Sequence, residues 1–439
     1  MTPVVWGALW IAVYLALVAA PLFVLLVAPT PPGLGFWPDF SLALGFAGTA
    51  MMGVQFVLTA RFRRATAPYG IDIIYYFHRH LAVVAAVLIV AHPVILLVDN
   101  AVFLHMLNPR EAPWHMTAGL ASVLAILLVI ATSLGRKPLG LHYDEWRIAH
   151  VLLAVAAVVL ALVHIEGVNY YVAAPWKRAL WLIIVASWVG VLLRVRVLKP
   201  WWLLRTPYRV TAVREERGSS WTLELTPDGH PGLRSFAPGQ FAWLTLRSSP
   251  FALKEHPFSI SSAPAASGRL EFTIKELGDF TRTIKDVRAG ETAYVDGPYG
   301  AFSMDRHPAP GYVFIAGGIG IAPMMSMLRA LAGRGDRRPH LLITANSRWE
   351  RITFREAAHA LQAQLDLRIV HALEEPPPGW DGVVGYLTPE VLSRHLPPDR
   401  ASREYFLCGP PAMIAAVERG LYHLGVPLSR SHTELFDLV

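Results

Sequence analysis

Four histidines lie inside long apolar stretches of the chain, where an ionisable side chain is costly and therefore points to a function. His78 and His92 share one stretch, and His150 and His164 share another. In each pair, the two histidines are 14 residues apart. At about 100° per residue this falls about 40° short of four full turns, so each helix presents both imidazoles on one face. Two such helices, parallel and side by side, could clamp two metal centres at different depths.

The predicted pairing joins His78 to His150 at one level and His92 to His164 at the other, because the two helices are expected to run in the same direction. Two imidazoles fill both axial positions of a haem iron and favour electron transfer. The spacing therefore predicts two b-type haems, with packing or hydrogen-bonding histidines as the alternative. His80 could replace His78, although it lies about 120° from His92 around the helix. The histidines at helix ends or in loops are interpreted as solvated: His105, His115 and His142.

Two short segments predict a flavin site. The first supplies a hydroxyl, an aromatic ring and backbone amides, which can line a flavin with Ser259 near the reactive N5. The alternative is a strand that ends in polar residues and binds no cofactor. Its residues are His256, Pro257, Phe258 and Ser259. The second combines a cation, a glycine and a hydroxyl ahead of a predicted helix, which suits a pyrophosphate and so favours FAD over FMN. Its residues are Ile274, Lys275, Gly278, Asp279, Phe280 and Thr281.

Two turns that follow predicted strands indicate a pyridine nucleotide site. The first turn opens a helix, where glycines let the backbone approach a pyrophosphate. It contains Gly317, Gly318, Gly320 and Pro323. The second turn repeats the arrangement, so its cysteine is expected at the carboxyl edge of the sheet, where ligands bind, with a buried structural cysteine as the alternative. It contains Cys408, Gly409 and Pro410.

Three further residues are candidate cofactor contacts. Arg348 and Arg351 follow a predicted strand and could hold a 2′-phosphate, which favours NADPH over NADH. Phe436 lies near the C-terminus and could stack on the flavin face, with a terminal core residue as the alternative.

Six apolar stretches are long enough, or nearly so, to cross a bilayer core of roughly 30 Å as helices. They lie at 4–28, 36–60, 73–98, 115–134, 146–166 and 177–198. The first is interpreted as a span, because it lacks the basic start and the cleavage site of a signal peptide. Basic residues cluster after the second, fourth and sixth spans, which places these loops and both termini in the cytoplasm. They are Arg61, Arg63, Arg64, Arg136, Lys137, Arg147, Arg194, Arg196, Lys199 and Arg205. Lys177 and Arg178 are the exception on the opposite side.

Beyond a hinge-like junction at Pro200-Trp201-Trp202, short alternating strands broken by Gly and Pro predict an antiparallel β-barrel. Later apolar strands alternate with helical stretches, which predicts a parallel sheet with helices on both faces. The predicted organisation is a six-helix transmembrane bis-haem domain at 1–200, an FAD-binding β-barrel domain at 201–306 and an NAD(P)H-binding α/β domain at 307–439.

The composition agrees with a membrane protein. Of 439 residues, 54% are hydrophobic and only 16% are charged. The net charge of +7 arises from basic residues beside apolar segments, which lipid headgroups explain better than nucleic acid. The single cysteine, Cys408, excludes an intrachain disulfide and any cysteine-ligated zinc or iron–sulfur site within one chain.

With these motifs in this order, the sequence resembles the ferric reductase and NADPH oxidase superfamily over essentially the whole chain, and closely resembles its single-chain bacterial members. The histidine pairs match that family's haem ligands, the segment from His256 its FAD motif, and the turns at Gly317 and Cys408 its nicotinamide motifs. The resemblance implies ferredoxin reductase-like flavin and nucleotide domains. In the family the counterpart of Phe436 shields the flavin.

The resemblance also implies a direction of electron flow. Hydride passes from cytoplasmic NADPH to FAD, and single electrons then pass through the two haems to an acceptor outside a bacterial plasma membrane. Dioxygen, giving superoxide, is favoured because no acidic or polar chelate-binding cluster is visible in the outer loops. A ferric chelate or a periplasmic protein is the alternative acceptor, and a membrane channel or sensor is a third hypothesis. No obligatory protein partner is evident.

Overall fold

The computed structural model describes residues 3–27, 30–61, 71–233, 235–265 and 267–434, without the side chains of residues 3, 4, 6 and 71–73. Arg63, Arg64 and Phe436 therefore lie outside the described residues. The chain divides into two compact units, which part between Lys199 and Pro200. The first unit is helical, and the second contains two sheets.

Six helices in the described ranges are long and apolar enough to cross a membrane. They are α1 (Pro3–Leu26), α2 (Phe36–Leu58), α3 (Ile71–Asp99), α4 (Trp114–Leu134), α5 (Tyr143–Val168) and α6 (Pro175–Leu193). A 3₁₀ helix, Ala101–Leu107, follows α3. These helices confirm the six predicted spans, with differences of a few residues at their ends.

Large apolar side chains cover the outside of this helical unit. Val87, Leu152 and Ile183 are each more than 60% exposed. Contiguous apolar surface of this kind is unfavourable in water but matches lipid, and a helix satisfies its backbone hydrogen bonds internally. The chain is therefore a multi-pass membrane protein.

Lys177, which departs from the predicted charge asymmetry of the loops, has a structural role. Its side chain is fully buried, and its Nζ donates a hydrogen bond to the carbonyl of Leu25 at 2.6 Å. Leu25 belongs to the last turn of α1, whose carbonyls lack partners within the helix. A cation there also interacts favourably with the helix dipole. Lys177 thus caps α1. Its charge therefore does not indicate the side of the membrane, as a basic residue in an exposed loop would.

The backbone after α6 is helical where the sequence suggested a hinge. A π-helical turn at Arg194–Leu198 leads into α7 (Lys199–Leu204), which contains Pro200. Proline within an α-helix clashes with the carbonyl four residues earlier. The wider π turn gives the ring of Pro200 room, so the helix continues past it.

The first sheet of the second unit has six antiparallel strands in the order β4-β3-β6-β1-β2-β5. They are β1 (Tyr208–Glu216), β2 (Ser220–Pro227), β3 (Phe241–Leu246), β4 (His256–Ser259), β5 (Leu270–Lys275) and β6 (Thr292–Tyr299). A bridge between Ile260, just after β4, and Phe272 of β5 joins the two edges of the sheet. The strands therefore curl around a buried core, which confirms the predicted antiparallel barrel-like domain. A short helix, α8 (Asp279–Arg282), follows β5.

The second sheet has six parallel strands in the order β10-β9-β8-β7-β11-β12. They are β7 (Tyr312–Gly317), β8 (His340–Asn346), β9 (Leu367–Leu373), β10 (Val383–Val384), β11 (Glu404–Cys408) and β12 (Ser431–Glu434). The helices between them are α9 (Ile321–Gly333), α10 (Arg355–Ala360), α11 (Pro389–His395) and α12 (Pro411–His423). Along β7, Val313 and Phe314 are both fully buried, in hydrophobic clusters on opposite faces. The predicted parallel sheet with helices on both faces is confirmed.

Candidate functional site

The structure brings the four membrane histidines together in two pairs. The ring centroids of His78 on α3 and His150 on α5 are 6.3 Å apart. Those of His92 and His164 on the same two helices are also 6.3 Å apart. Because both pairs form at equal separation, the stretches of α3 and α5 that carry them run side by side in one direction, as the sequence predicted.

Each ring of the first pair is held through its Nδ1 atom. Gln55 Oε1 lies 2.7 Å from His78 Nδ1, and Ser133 Oγ lies 3.1 Å from His150 Nδ1. The Ser133 hydroxyl donates its own proton to the carbonyl of Val129 at 2.6 Å, so toward His150 it can only accept. Both Nδ1 atoms therefore carry the proton, and Nε2 of each ring keeps a lone pair for a metal.

The second pair is held in the same way. Ser41 Oγ lies 2.8 Å from His92 Nδ1 and donates its proton to the carbonyl of His92, so it too accepts from the ring. His164 Nδ1 donates to the backbone carbonyl of His115 at 3.0 Å. Outer hydrogen bonds of this kind fix the tautomer and the orientation of metal-binding imidazoles.

These outer partners were missed from the sequence, although some left a signal there. Ser41, Gln55 and Ser133 are polar residues inside apolar helices, which marks them as candidates. The contribution of His115 comes from its backbone, for which no residue type gives a signal. His115 itself is half-buried, whereas the sequence suggested a solvated residue.

Two glycines face the second pair at close range. A Cβ atom at Gly119 would lie 2.7 Å from His164 Nδ1, and one at Gly45 would lie 3.2 Å from His92 Cγ. The backbones of α4 and α2 therefore lie directly against the two rings, at positions where a larger side chain would displace an imidazole.

A cavity of about 580 Å³ adjoins the second pair. Both His92 and His164 line it, together with Pro93, Gly119 and Tyr171. Its volume is within the range of about 300–1,000 Å³ that is typical of small-molecule and cofactor sites. The second pair thus has space beside it for a bound group.

His80 does not join either pair. Its Nδ1 lies 2.8 Å from the carbonyl of Tyr76, and its ring packs against the Tyr76 ring with the centroids 4.1 Å apart. The side chain is exposed. The geometry therefore favours His78 over His80 as the partner of His150.

The two predicted flavin segments meet in the second unit. The ring of His256 on β4 stacks on Phe280 of α8 with the centroids 3.8 Å apart, and Phe258 stacks on the same ring at 6.1 Å. Ser259 is buried, and its Oγ has no hydrogen-bond partner among the described residues. A buried hydroxyl without a partner is costly. A polar flavin edge would satisfy it, so these residues fit the cofactor.

The turn after β5 is closed by its own hydroxyl. Thr281 Oγ1 accepts hydrogen bonds from the N–H groups of Leu277 and Gly278 at 2.8 Å each, and Gly278 precedes α8. These two amides are therefore already bonded within the turn. Lys275 Nζ would lie 3.7 Å from a Cβ at Gly318, so the predicted cation adjoins the glycine-rich turn after β7. Burial, and then the nearby Arg351, lowers the pKa of Lys275.

The two turns predicted to bind the nucleotide contact each other at the carboxyl ends of β7 and β11, where Ala316 lies opposite Cys408. A Cβ at Gly320 would overlap the carbonyl of Cys408. A Cβ at Gly317 would lie 2.7 Å from Pro410 Cδ, and one at Gly409 would lie 2.9 Å from the backbone nitrogen of Gly317. Glycine is therefore required where these turns meet. Cys408 is buried, and burial, followed by the charge of Glu434, raises the pKa of its thiol, so the thiol is protonated at neutral pH.

The arginine predicted to hold a 2′-phosphate has an acidic partner. The guanidinium of Arg348 donates to Glu375 Oε2 at 2.8 Å from Nε and 2.5 Å from Nη2. Arg348 follows β8, and Glu375 follows the neighbouring strand β9. Both side chains are more than half exposed. Arg351 is the last residue of the 3₁₀ turn Trp349–Arg351, and its positive charge contributes to the lowered pKa of Lys275.

Three family descriptions match separate parts of the chain. Residues 44–161 match the ferric reductase like transmembrane component, residues 222–303 match the FAD-binding domain, and residues 314–419 match the oxidoreductase NAD-binding domain. The first range contains His78, His92 and His150.

Curated relatives and solved structures are similar to parts of the chain. NADH-cytochrome b5 reductase 1 of Laccaria bicolor is 35% identical over 180 residues, which are 40% of this chain and 58% of the relative. The protein of the same name from Aspergillus fumigatus is 34% identical over 187 residues, which are 40% of this chain and 60% of the relative. The chain thus spans less than two thirds of these relatives' length. The flavohaem-like FAD/NAD-binding domain of nitric oxide dioxygenase from Vibrio cholerae is 21% identical, with 53% of this chain and 98% of that chain covered and a TM-score of 0.47.

The three family matches follow one another in the order that the sequence predicted, and they support FAD and a pyridine nucleotide as cofactors. The chain therefore joins in one polypeptide segments that match a ferric reductase like transmembrane component, a FAD-binding domain and an oxidoreductase NAD-binding domain, which supports a membrane oxidoreductase.

Proposed function

We propose that this protein moves electrons across a membrane, from a reduced pyridine nucleotide on the cytoplasmic side to an acceptor on the other side, with FAD and two bis-histidine b-type haems as its redox groups. The observation that carries the proposal is the equal separation of 6.3 Å in the pairs His78–His150 and His92–His164. Two equivalent ligand pairs at different depths suit transfer across a bilayer, because each step is then shorter than the membrane.

Each histidine pair has the room that one iron needs. Two metal–nitrogen bonds of about 2.0–2.1 Å, with each imidazole centre about 1.1 Å from its nitrogen, together span about 6.3 Å. The hydrogen bonds at Nδ1 leave Nε2 of every ring as the ligand atom. A haem held by two imidazoles would supply one-electron transfer.

We place the flavin site at β4 and α8, on the side where Lys275 adjoins the glycine-rich turn after β7. We assign Ser259 to the flavin edge and the stacked rings of His256 and Phe280 to the flavin pocket, which is consistent with the buried, unpartnered Ser259 hydroxyl. FAD bound there would accept a hydride and release its electrons singly. Lys275, beside Gly318, is placed to neutralise a phosphate.

We further propose NADH as the preferred nucleotide. The NADPH preference suggested by Arg348 and Arg351 requires a guanidinium that can take a 2′-phosphate. Arg348 is paired with Glu375, and a carboxylate at this strand end suits a ribose 2′-hydroxyl and repels a phosphate. The two curated relatives described above are named NADH-cytochrome b5 reductase 1, which agrees with this choice.

Dioxygen is the proposed acceptor, with superoxide as the product. The cavity beside His92 and His164 is lined mainly by apolar side chains, and its described lining includes Asp99 but no lysine or arginine. The outer haem would occupy this cavity, so an acceptor would approach at its rim. Dioxygen needs no charged group there, whereas an anionic ferric chelate needs basic groups. A ferric chelate or a periplasmic electron-accepting protein remains the second candidate, because the transmembrane family match is to a ferric reductase like component.

The proposed location is a bacterial plasma membrane, with both termini and the flavin and nucleotide domains in the cytoplasm. Basic residues in the loops after α4 and α6 support this orientation. The main exception, Lys177, is explained by its bond to the end of α1. The first histidine pair is then the inner one, and the second pair is the outer one.

The proposal is tested with the full chain in sealed liposomes, its nucleotide-binding half facing outward. NADH or NADPH is added outside, and cytochrome c with or without superoxide dismutase is enclosed. We expect enclosed cytochrome c to be reduced in air, superoxide dismutase to suppress this reduction, and kcat/KM to be higher for NADH.

A parallel anaerobic set encloses a ferric chelate in place of cytochrome c. Anaerobic reduction of the chelate at an equal rate would favour the ferric reductase alternative. Reduction only of acceptors outside the liposomes would contradict transmembrane transfer. A purified chain without low-spin haem absorption would leave the channel or sensor hypothesis.

A further inference from the structure

Three residues that play no part in the proposed electron path converge in the second unit. His307 lies in the segment between the two sheets, Glu404 begins β11, and His432 belongs to β12. One ligand atom from each of the three side chains lies within 4.8 Å of the other two. The cluster therefore joins three separate segments of the chain.

The contacts in the cluster hold the three side chains close together. His432 Nε2 and Glu404 Oε2 are 2.7 Å apart, and the His307 ring stacks on the His432 ring with the centroids 3.7 Å apart. The side chain of His307 forms no hydrogen bond with any residue that the structure describes. Glu404 is buried, at 7% exposure, and its second oxygen, Oε1, accepts from Arg430 at 3.0 Å.

We propose that His307, Glu404 and His432 bind one Zn²⁺ ion. Two imidazoles and a carboxylate are a common zinc ligand set, and a water would complete the tetrahedron. The ion would replace the proton that His432 and Glu404 now share. Arg430 holds the other carboxylate oxygen, so it orients Glu404 as a single-oxygen ligand.

This site is separate from the cofactor sites. Glu404 is at the amino end of β11, whereas Cys408 and the nucleotide-binding turns are at the carboxyl end of the same strand. Zinc bound there would tie the segment before β7 to the last two strands of the sheet. Because metal binding contributes directly to folded-state stability, the site would stabilise β12 against detachment.

The test uses the full haem- and flavin-loaded chain in detergent, stripped with EDTA and equilibrated with Zn²⁺. Zinc that remains after desalting is measured by elemental mass spectrometry, which distinguishes it from haem iron. The variants are His307→Gln and Glu404→Gln. His423→Gln is the matched control, since it removes an exposed histidine near the end of α12.

We expect one zinc per chain in the wild type and in His423→Gln, and at least tenfold weaker binding in both cluster variants. Equal zinc retention in all four proteins would overturn the proposal, as would no retention in the wild type. Zinc K-edge absorption of the wild type provides a second measurement if a variant fails to fold. Scattering from two imidazoles around the zinc would support the proposed site. A zinc coordination shell without imidazole would overturn the proposal.

Discussion

Gln55 on α2 accepts a hydrogen bond from Nδ1 of His78 on α3, with the side-chain oxygen and the ring nitrogen 2.7 Å apart. It is the one side-chain amide among the four partners that hold the paired histidines; the others are the hydroxyls of Ser41 and Ser133 and the carbonyl of His115. An acceptor at Nδ1 increases the basicity of a ligand nitrogen, so Gln55 is placed to influence the proposed inner metal centre.

Replacing Gln55 should shift one redox centre selectively. Without its acceptor, His78 donates less electron density and stabilises the oxidised metal less. We expect Gln55→Leu to raise the midpoint potential of the inner haem by on the order of 30–60 mV, and Gln55→Glu to lower it. Potentiometric titration followed by absorption measures both centres. A shift confined to the outer centre, or none in either variant, would contradict the assignment.

A methyl group at Gly119 should disrupt the outer pair. Because its Cβ would lie 2.7 Å from His164 Nδ1, Gly119→Ala should displace this ring and reduce haem content by about half. Gly45→Ala should have a smaller effect, since its Cβ would lie 3.2 Å from His92. Gly190→Ala is the control, because a Cβ there meets nothing within 4 Å. Similar haem contents in Gly119→Ala and Gly190→Ala would argue against His164 as a ligand.

Ser259 should act on hydride transfer and not on FAD retention. Its buried hydroxyl lacks a partner among the described residues, so its hydrogen bond is expected to form with the flavin edge. We expect Ser259→Ala to slow flavin reduction by NADH about tenfold, equivalent to about 1.4 kcal/mol, with FAD content unchanged. Stopped-flow absorbance measures the rate. In the control Ser261→Ala, the lost hydroxyl bonds the carbonyl of Glu271, so flavin reduction should be unaffected; equal rates in the two variants would refute the role.

Acid should destabilise the nucleotide-binding domain through His371. This ring is buried against Thr344 and His359, and burial, followed by the charge of His359, lowers its pKa to about 4. The unfolded side chain titrates near 6.5 and so binds more protons below that pH. The contribution of the neutral His371 ring to the free energy of unfolding is therefore fully present above about pH 6.5. It is lost as the pH falls toward 4, which lowers the free energy of unfolding by on the order of 1–3 kcal/mol.

The measurement is the unfolding temperature of the full chain between pH 7.5 and 5. His371→Gln should flatten its pH dependence, whereas His423→Gln, an exposed position, should not. Identical pH profiles in all three proteins would show that His371 does not contribute.

Features that depend on spacing and period could be predicted from the sequence. The 14-residue separations placed the histidines on one face of each helix, and the structure brings them together in the predicted pairs. Apolar length predicted the six spans, and the glycines at Gly317 and Gly320 predicted a strand-to-helix turn that a Cβ would block.

Features that depend on the rotation of one element against another could not be predicted. The helices are apolar on every face, so their sequences do not specify which side of α2 or α4 meets the histidines. The contacts of Gln55 and Ser133 follow only from that packing. Likewise, Glu375 is 27 residues from Arg348, and only the order of β8 and β9 in the sheet pairs them.

The haem-to-chain ratio of the purified protein and two variants tests the central claim most directly. With the pyridine haemochrome assay, we expect two haems per chain in the wild type, one in His92→Ala and two in His80→Ala, with flavin reduction by NADH intact in all three. Two haems retained in His92→Ala, or haem lost from His80→Ala, would contradict the assignment of the two histidine pairs.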